Sequence, residues 1–233
     1  MSNKIVENGM DVKVPGMVYA SVVRSPRFGG TLKSFDVSKA KRVPGFIEAK
    51  VFPDKRGVIV YAKNTWSAFQ IKKALLTKWD FTNAESRSTS DIVSDCQKLA
   101  ENPEFEPRPF KTEDDNQSVK DLNHLEAEFF FPFLAHSPLE PLNCIIEPTK
   151  NGVRFYDGCQ NPSGVQWASS YILGLQPQQI EVKTIYAGGS FGRRNSPAVK
   201  DLYQAEAAIA FALLGKKTPV KLVWDREDDI RGG

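Results

Sequence analysis

Residues 187–195 read Ala-Gly-Gly-Ser-Phe-Gly-Arg-Arg-Asn, a glycine-rich stretch that ends in two arginines. Gly188, Gly189 and Gly192 carry no Cβ, so the backbone can turn sharply there and another molecule can approach it closely. A strand-like run, Ile180 to Tyr186, precedes the stretch, and a helical pattern from near Ser196-Pro197 to Leu214 follows it. A strand, a glycine turn and a helix N-terminus present main-chain N–H donors where the helix dipole favours negative charge. Arg193 and Arg194 add fixed positive charge beside them. The chemistry open to such residues, Ser190 and Phe191 included, is to hold an oxygen-rich anion. The competing reading is a tight strand-to-helix turn with two exposed arginines. The spacing matches neither G-x-G-x-x-G nor G-x-x-x-x-G-K-[ST], so an ordinary dinucleotide or P-loop site is not supported.

Three further groups could do chemistry. Gln160 stands in Gly158-Cys-Gln-Asn-Pro162, between a strand-like and a helical run. Its carboxamide can donate to an oxo group or accept from a bound water, or it can brace the turn. His136 and Glu140, in His136-Ser-Pro-Leu-Glu-Pro-Leu-Asn-Cys144, could form an acid–base pair or serve the fold. The acidic run Glu113-Asp-Asp115 has no His or further carboxylate at ligand spacing and reads as a solvated loop, and His124 has no evident partner.

With 233 residues, 41% of them hydrophobic, the chain can bury a sizeable core in one or two domains. A net charge of +3 is too small to argue for nucleic acid or a membrane surface. No apolar run is long enough to span a bilayer, and the first residues show no secretory signal. Cys96, Cys144 and Cys159 lie far apart, which predicts three buried free thiols and neither a disulfide framework nor a zinc or iron–sulfur site.

The elements that must position these residues follow from periodicity. A strand ends near Arg24, a second spans Thr31 to Phe35, and Asp36 can cap a short helix to Arg42. Phe46 to Val51 and Val58 to Ala62 form a hairpin, and a helix follows over Trp66 to Thr77, with Trp66 and Trp79 expected in the core. One modest helix is expected between Ser90 and Glu101, then an extended, proline-rich connection over Asn102 to Pro109. Val119 to Leu134, rich in phenylalanine, reads as a buried strand. Asn143 to Glu147 and Gly152 to Tyr156 make a hairpin. Asn161 can cap, and Pro162 open, a helix that Gly174 ends, and Val220 to Trp224 is a last strand.

Taken in order, the motifs at 136–144, 158–162, 187–195 and Pro219-Val-Lys-Leu-Val-Trp-Asp-Arg-Glu-Asp-Asp-Ile230 resemble the large, molybdenum-binding subunit of the xanthine dehydrogenase and aldehyde oxidase family. The branch most similar is that of the isoquinoline 1-oxidoreductase beta subunits, whose loop reads Gly-Gly-Gly-Phe-Gly-Arg-Arg. Ser190 stands where that loop has its third glycine. The resemblance implies an α+β chain. An a/b hammerhead domain would occupy 1–82, a linker with one helix 83–118, and a return strand with the first part of a molybdopterin-binding domain 119–233.

The same resemblance gives Gln160, Gly188, Gly189, Ser190, Phe191, Gly192 and Arg193 the role of binding the cofactor, with Phe191 also walling the substrate pocket and no residue ligating the metal directly. It leaves Arg194 as a surface or subunit-contact charge, and Glu140 as a brace near the cofactor. Xanthine-oxidising members continue the loop with Gly-Lys-Glu; Arg193, Arg194 and Asn195 stand here, which argues against xanthine. The implied activity is hydroxylation of an N-heterocycle or aldehyde with water-derived oxygen. The implied cofactor is molybdopterin in its cytosine dinucleotide form, and the implied partner is a small iron–sulfur subunit with two 2Fe-2S clusters. The general base of that chemistry lies in a Gly-x-Gly-Glu motif absent from these residues, so an internal fragment, inactive alone, is expected. Members of the branch are often exported to the periplasm; no export signal occurs here, and the sequence leaves the compartment open. A phosphate- or nucleotide-binding module, or a subunit-contact domain, is the alternative class of function.

Overall fold

The computed structural model describes residues 8–101, 125–195 and 202–231. The expected connection over 102–109, the acidic run at 113–115, His124, the first part of the 119–134 strand and the expected start of the helix at 196 lie outside the described residues. Two units emerge, one of Met1–Ala84 with Ala135–Gly233 and one of Glu85–Leu134. The α+β class expected from the sequence is the one observed.

The larger unit is built on a seven-stranded mixed sheet. Its strands are β1 (Val18–Arg24), β3 (Phe46–Val51), β4 (Gly57–Ala62), β6 (Asn143–Thr149), β7 (Gly152–Asp157), β8 (Ile180–Thr184) and β9 (Val220–Val223), in the order β3-β4-β1-β9-β6-β7-β8. A separate pair joins β2 (Thr31–Asp36) to β5 (Leu76–Asp80). β9 lies between β1, to which it is parallel, and β6, to which it is antiparallel. A single sheet therefore contains strands from both ends of the sequence.

The strand β4 shows how the sheet divides the core. Its side chains alternate, so Val58, Val60 and Ala62 enter one apolar cluster while Ile59 and Tyr61 enter the other. On the first side lies helix α1 (Thr65–Ala74), whose Ala68 and Ile71 are buried and whose N-cap Asn64 accepts from the Ser67 N–H at 2.8 Å. On the second side lie α3 (Pro162–Leu173) and α4 (Tyr203–Leu213), packed against each other and, through α4, on β6 and β9. Helix α4 is rich in alanine and buried around nearly its whole circumference, which lets it sit close to the sheet. The Tyr61 hydroxyl crosses from the sheet to donate to the Ala210 carbonyl at 2.9 Å.

In the smaller unit, α2 (Thr89–Glu101) buries none of its residues. Cys96 lies on this helix and is exposed, whereas Cys144 and Cys159 are buried, so the expectation of three buried thiols holds for two. Residues 125–134 form no strand, and Phe129, Phe130, Phe131 and Phe133 are exposed, against the expectation of a buried strand. An apolar run without alternation does not say whether anything covers it. Trp66 is likewise exposed, at 71%, because it lies on the outer face of α1 away from the Ala68 and Ile71 stripe. A short helix, α5 (Arg226–Arg231), and strand β5 are elements the sequence reading lacked.

Candidate anion-binding loop

The glycine stretch leaves the sheet from β8, an edge strand parallel to β7. Gly189 and Gly192 have φ of +101° and +92°, and Phe191 sits at +55°. A bulky residue in the left-handed region is strained, and such strain persists where the surroundings over-determine the backbone. At Gly188 the reason for glycine is room, since a Cβ there would lie 2.6 Å from the Cβ of Glu140.

Glu140 is the centre of the packing behind the loop. Its carboxylate, 8% exposed, accepts from the Met10 N–H at 3.1 Å, the Asn143 amide at 3.0 Å, the Gly188 N–H at 2.9 Å and the Arg194 guanidinium at 3.2 Å. Arg194 is only 1% exposed and also donates to the Gly189 carbonyl at 3.1 Å. The surface or subunit-contact reading of Arg194 is thus corrected: the Glu140 carboxylate compensates its charge in the interior. His136 is exposed and its Nε2 stands 4.0 Å from where a Cβ on Gly192 would be, but no hydrogen bond to Glu140 forms among the described residues. With its oxygens taken by four donors, Glu140 braces the loop and is no acid–base partner of His136.

Gln160 reaches the loop from the turn between β7 and α3. Its N–H donates to the Arg194 carbonyl at 3.0 Å, and its Oε1 accepts from the Ser190 hydroxyl at 3.0 Å. Ser190 therefore orients the carboxamide, leaving the NH2 end for an external acceptor. The helix behind it is fixed as the sequence predicts, with Asn161 Oδ1 accepting from the Gly164 N–H at 2.9 Å and Gly174 left-handed at the C-cap. An N-cap bond of this kind is worth about 1 kcal/mol.

The N–H groups of Gly189, Ser190, Phe191 and Gly192 meet no protein acceptor among the described residues. They lie on partly or fully exposed residues, and the Phe191 ring is 73% exposed. The Arg193 side chain, 9% exposed, is turned into the fold, where it pairs with Asp229 at 3.2 Å. Free main-chain donors and the carboxamide beside them are suited to oxygen atoms carrying negative charge. Helix α4 starts at Tyr203, with Leu202 extended at its N-cap, and no helix N-terminus stands at the loop among the described residues. Residues of the loop and Gln160, separate in sequence, are brought together; Phe191 stands in the open.

Beneath Gln160 lies a carboxyl that the sequence reading missed. Asp157, wholly buried at the end of β7, accepts from the Tyr203 hydroxyl at 2.8 Å and the Gln204 amide at 3.0 Å. Burial raises its pKa from 3.8 to about 6, against the hydrogen bonds and the Arg194 charge, which pull it down. The same burial pushes the neighbouring Cys159 thiol up to about 12, so it is no nucleophile at neutral pH. A carboxyl whose folded pKa is raised contributes stability that is complete below its ordinary value and is lost as pH rises through the folded value. Asp157→Asn, which cannot ionise, is therefore expected to gain about 3 kcal/mol on the parent between roughly pH 4 and pH 7. Urea unfolding at those two pH values checks this, and a constant difference would count against a buried ionising Asp157.

A family profile described as the molybdopterin cofactor-binding domain matches residues 99–232. The beta subunit of isoquinoline 1-oxidoreductase from Brevundimonas diminuta is 27% identical, over 96% of this chain and 29% of its own length. Among solved structures, aldehyde oxidoreductase from Desulfovibrio gigas superposes with a TM-score of 0.67 at 16% identity, covering 97% of this chain and 29% of that one. Quinoline 2-oxidoreductase from Pseudomonas putida 86 gives a TM-score of 0.65 at 15% identity, over 94% and 32%. The chain spans less than a third of the length of these relatives. With more than half of its residues matched by the profile, the chain belongs to the molybdopterin cofactor-binding domain family.

Proposed function

We propose that this chain forms one wall of the cofactor site in a molybdenum hydroxylase large subunit. In that reading Gln160 and the backbone of Gly189, Ser190, Phe191 and Gly192 face the oxygens of a molybdopterin. The observation that carries it is the set of four consecutive loop N–H groups that meet no protein acceptor among the described residues, beside the Gln160 carboxamide. A large anionic cofactor suits such donors, since preorganised dipoles need no reorganisation when charge arrives.

Gly188 contributes by holding the loop onto Glu140, and Arg193 supplies positive charge toward the phosphates. The exposed ring of Phe191 offers an apolar surface that excludes water from one side of the substrate. When bound, the molybdenum held by molybdopterin would supply a two-electron redox centre for hydroxylation with water-derived oxygen. An N-heterocycle or an aldehyde is the substrate class, in line with the names of the isoquinoline, quinoline and aldehyde oxidoreductases. The cytosine dinucleotide form of the cofactor and an iron–sulfur partner subunit with two 2Fe-2S clusters belong to the same reading. So does inactivity of these residues alone, because the Gly-x-Gly-Glu base is not among them.

Metal and pterin analysis of the full-length protein tests the proposal. Molybdenum and pterin are expected in equal amounts. Tight phosphate binding by a protein that holds no molybdenum would support the phosphate-binding module instead.

A further inference from the structure

The segment around Trp224 touches the glycine loop from behind, and the proposed anion site does not use it. Trp224 is fully buried after β9 and lies between two guanidinium groups, Arg24 at 4.4 Å and Arg193 at 5.3 Å from its ring centroid. Its Nε1 donates to Glu206 Oε2 at 2.7 Å. Asp229, on α5 and also buried, accepts from Arg193 Nε at 3.2 Å and from Arg226 Nη1 at 3.2 Å. Its main-chain carbonyl accepts from Arg193 Nη2 at 3.4 Å. Arg226 continues to the carbonyls of Pro138 and Leu139, at 2.8 and 3.2 Å, next to the Glu140 that holds the other side of the loop.

A planar guanidinium that stacks on an aromatic ring and meets a carboxylate is fixed in orientation, not merely in position. Arg193 directly follows Phe191 and Gly192, whose φ values of +55° and +92° set where the free N–H groups point. Those conformations need support from outside the loop. Asp229 is a buried negative group paired with Arg193, at 3.2 Å.

We propose that Asp229 is a positioning residue for the glycine loop: through Arg193 it keeps Phe191 and Gly192 in their left-handed conformations, with the N–H groups aimed at an oxo- or phosphate-bearing anion. The proposal rests on the anion-site reading above and adds a residue that does not touch the anion.

The test uses the full-length protein as purified with its cofactor, and compares Asp229→Asn, Arg193→Lys and the double variant. Hydrogen exchange of the amides in 188–195 is expected to quicken about tenfold in each single variant, while β1 and β9 exchange as in the parent. The double variant should add no more than about a twofold change, since both substitutions disrupt the same Arg193–Asp229 ion pair. Molybdenum retained through gel filtration should fall in parallel. Unchanged loop exchange, acceleration that spreads equally to β1 and β9, or a double variant equal to the product of the singles overturns the proposal. If Asp229→Asn does not fold, Arg193→Lys is judged alone by the same tenfold criterion. A parent protein without molybdenum overturns the cofactor reading only, because loop exchange still decides the role of Asp229.

Discussion

Replacing Glu140 by alanine is expected to destabilise the fold by about 3–5 kcal/mol, the range for removing one partner of a buried ion pair. The reason is the charge left behind. Arg194, 1% exposed, would keep its positive charge in the interior with, among the described residues, only the carbonyls of Gly189 and Glu140 as acceptors. The Gly188 and Met10 N–H groups would lose their acceptor as well, and the Asn143 amide would be left with the Pro141 carbonyl at 2.8 Å. Glu140→Gln, which keeps the volume and one acceptor oxygen, should be milder by about 1–2 kcal/mol, because a hydrogen bond to a neutral group replaces a charged one. Urea unfolding of both variants decides the matter. A loss below about 1 kcal/mol for Glu140→Ala would mean that the brace is not what holds the loop.

Gln160→Ala is expected to act on function and hardly at all on stability. The side chain is exposed and its one partner among the described residues is the Ser190 hydroxyl, so unfolding should shift by no more than about 0.5 kcal/mol. In the full-length enzyme the loss of an aimed donor should lower kcat by about 10²-fold, the usual scale for removing one preorganised hydrogen-bond donor. KM should move little if the amide acts on the cofactor and not on the substrate. Steady-state kinetics on a preparation matched for molybdenum content provides the check. Unaltered kcat would take Gln160 out of the site.

Much of this arrangement is legible in the chain. The hairpins β3–β4 and β6–β7 and the capped helix α3 are set by local signals: alternation in the strands, Asn-Gly in one turn, and Asn161-Pro162 with Gly174 around the helix. The glycine loop and Gln160 are legible as candidates because their residue types are specific. Their juxtaposition is a matter of topology, and it follows from β7 and β8 lying side by side in parallel.

What escaped sequence reading is what depends on tertiary company. Arg194 has the composition of a surface residue, and only the fold supplies Glu140 at 3.2 Å. Trp66 and the phenylalanines at 129–133 have the composition of core residues and are exposed. Asp157 gave no signal, since a carboxylate at a strand end is usually solvated, and its partners Tyr203 and Gln204 come from a helix 46 and 47 residues away. The helix α5 has six residues, too few for periodicity to register, and so Asp229 went unnoticed within an otherwise quoted motif.

The central claim is that the loop amides and Gln160 face the oxygens of a bound cofactor. A crystal structure of the full-length protein with its cofactor measures this directly. The account predicts cofactor oxygens within hydrogen-bonding distance of the Phe191 or Gly192 N–H and of the Gln160 carboxamide. A cofactor seated elsewhere, with those amides bonded to protein or turned to bulk water, would contradict it.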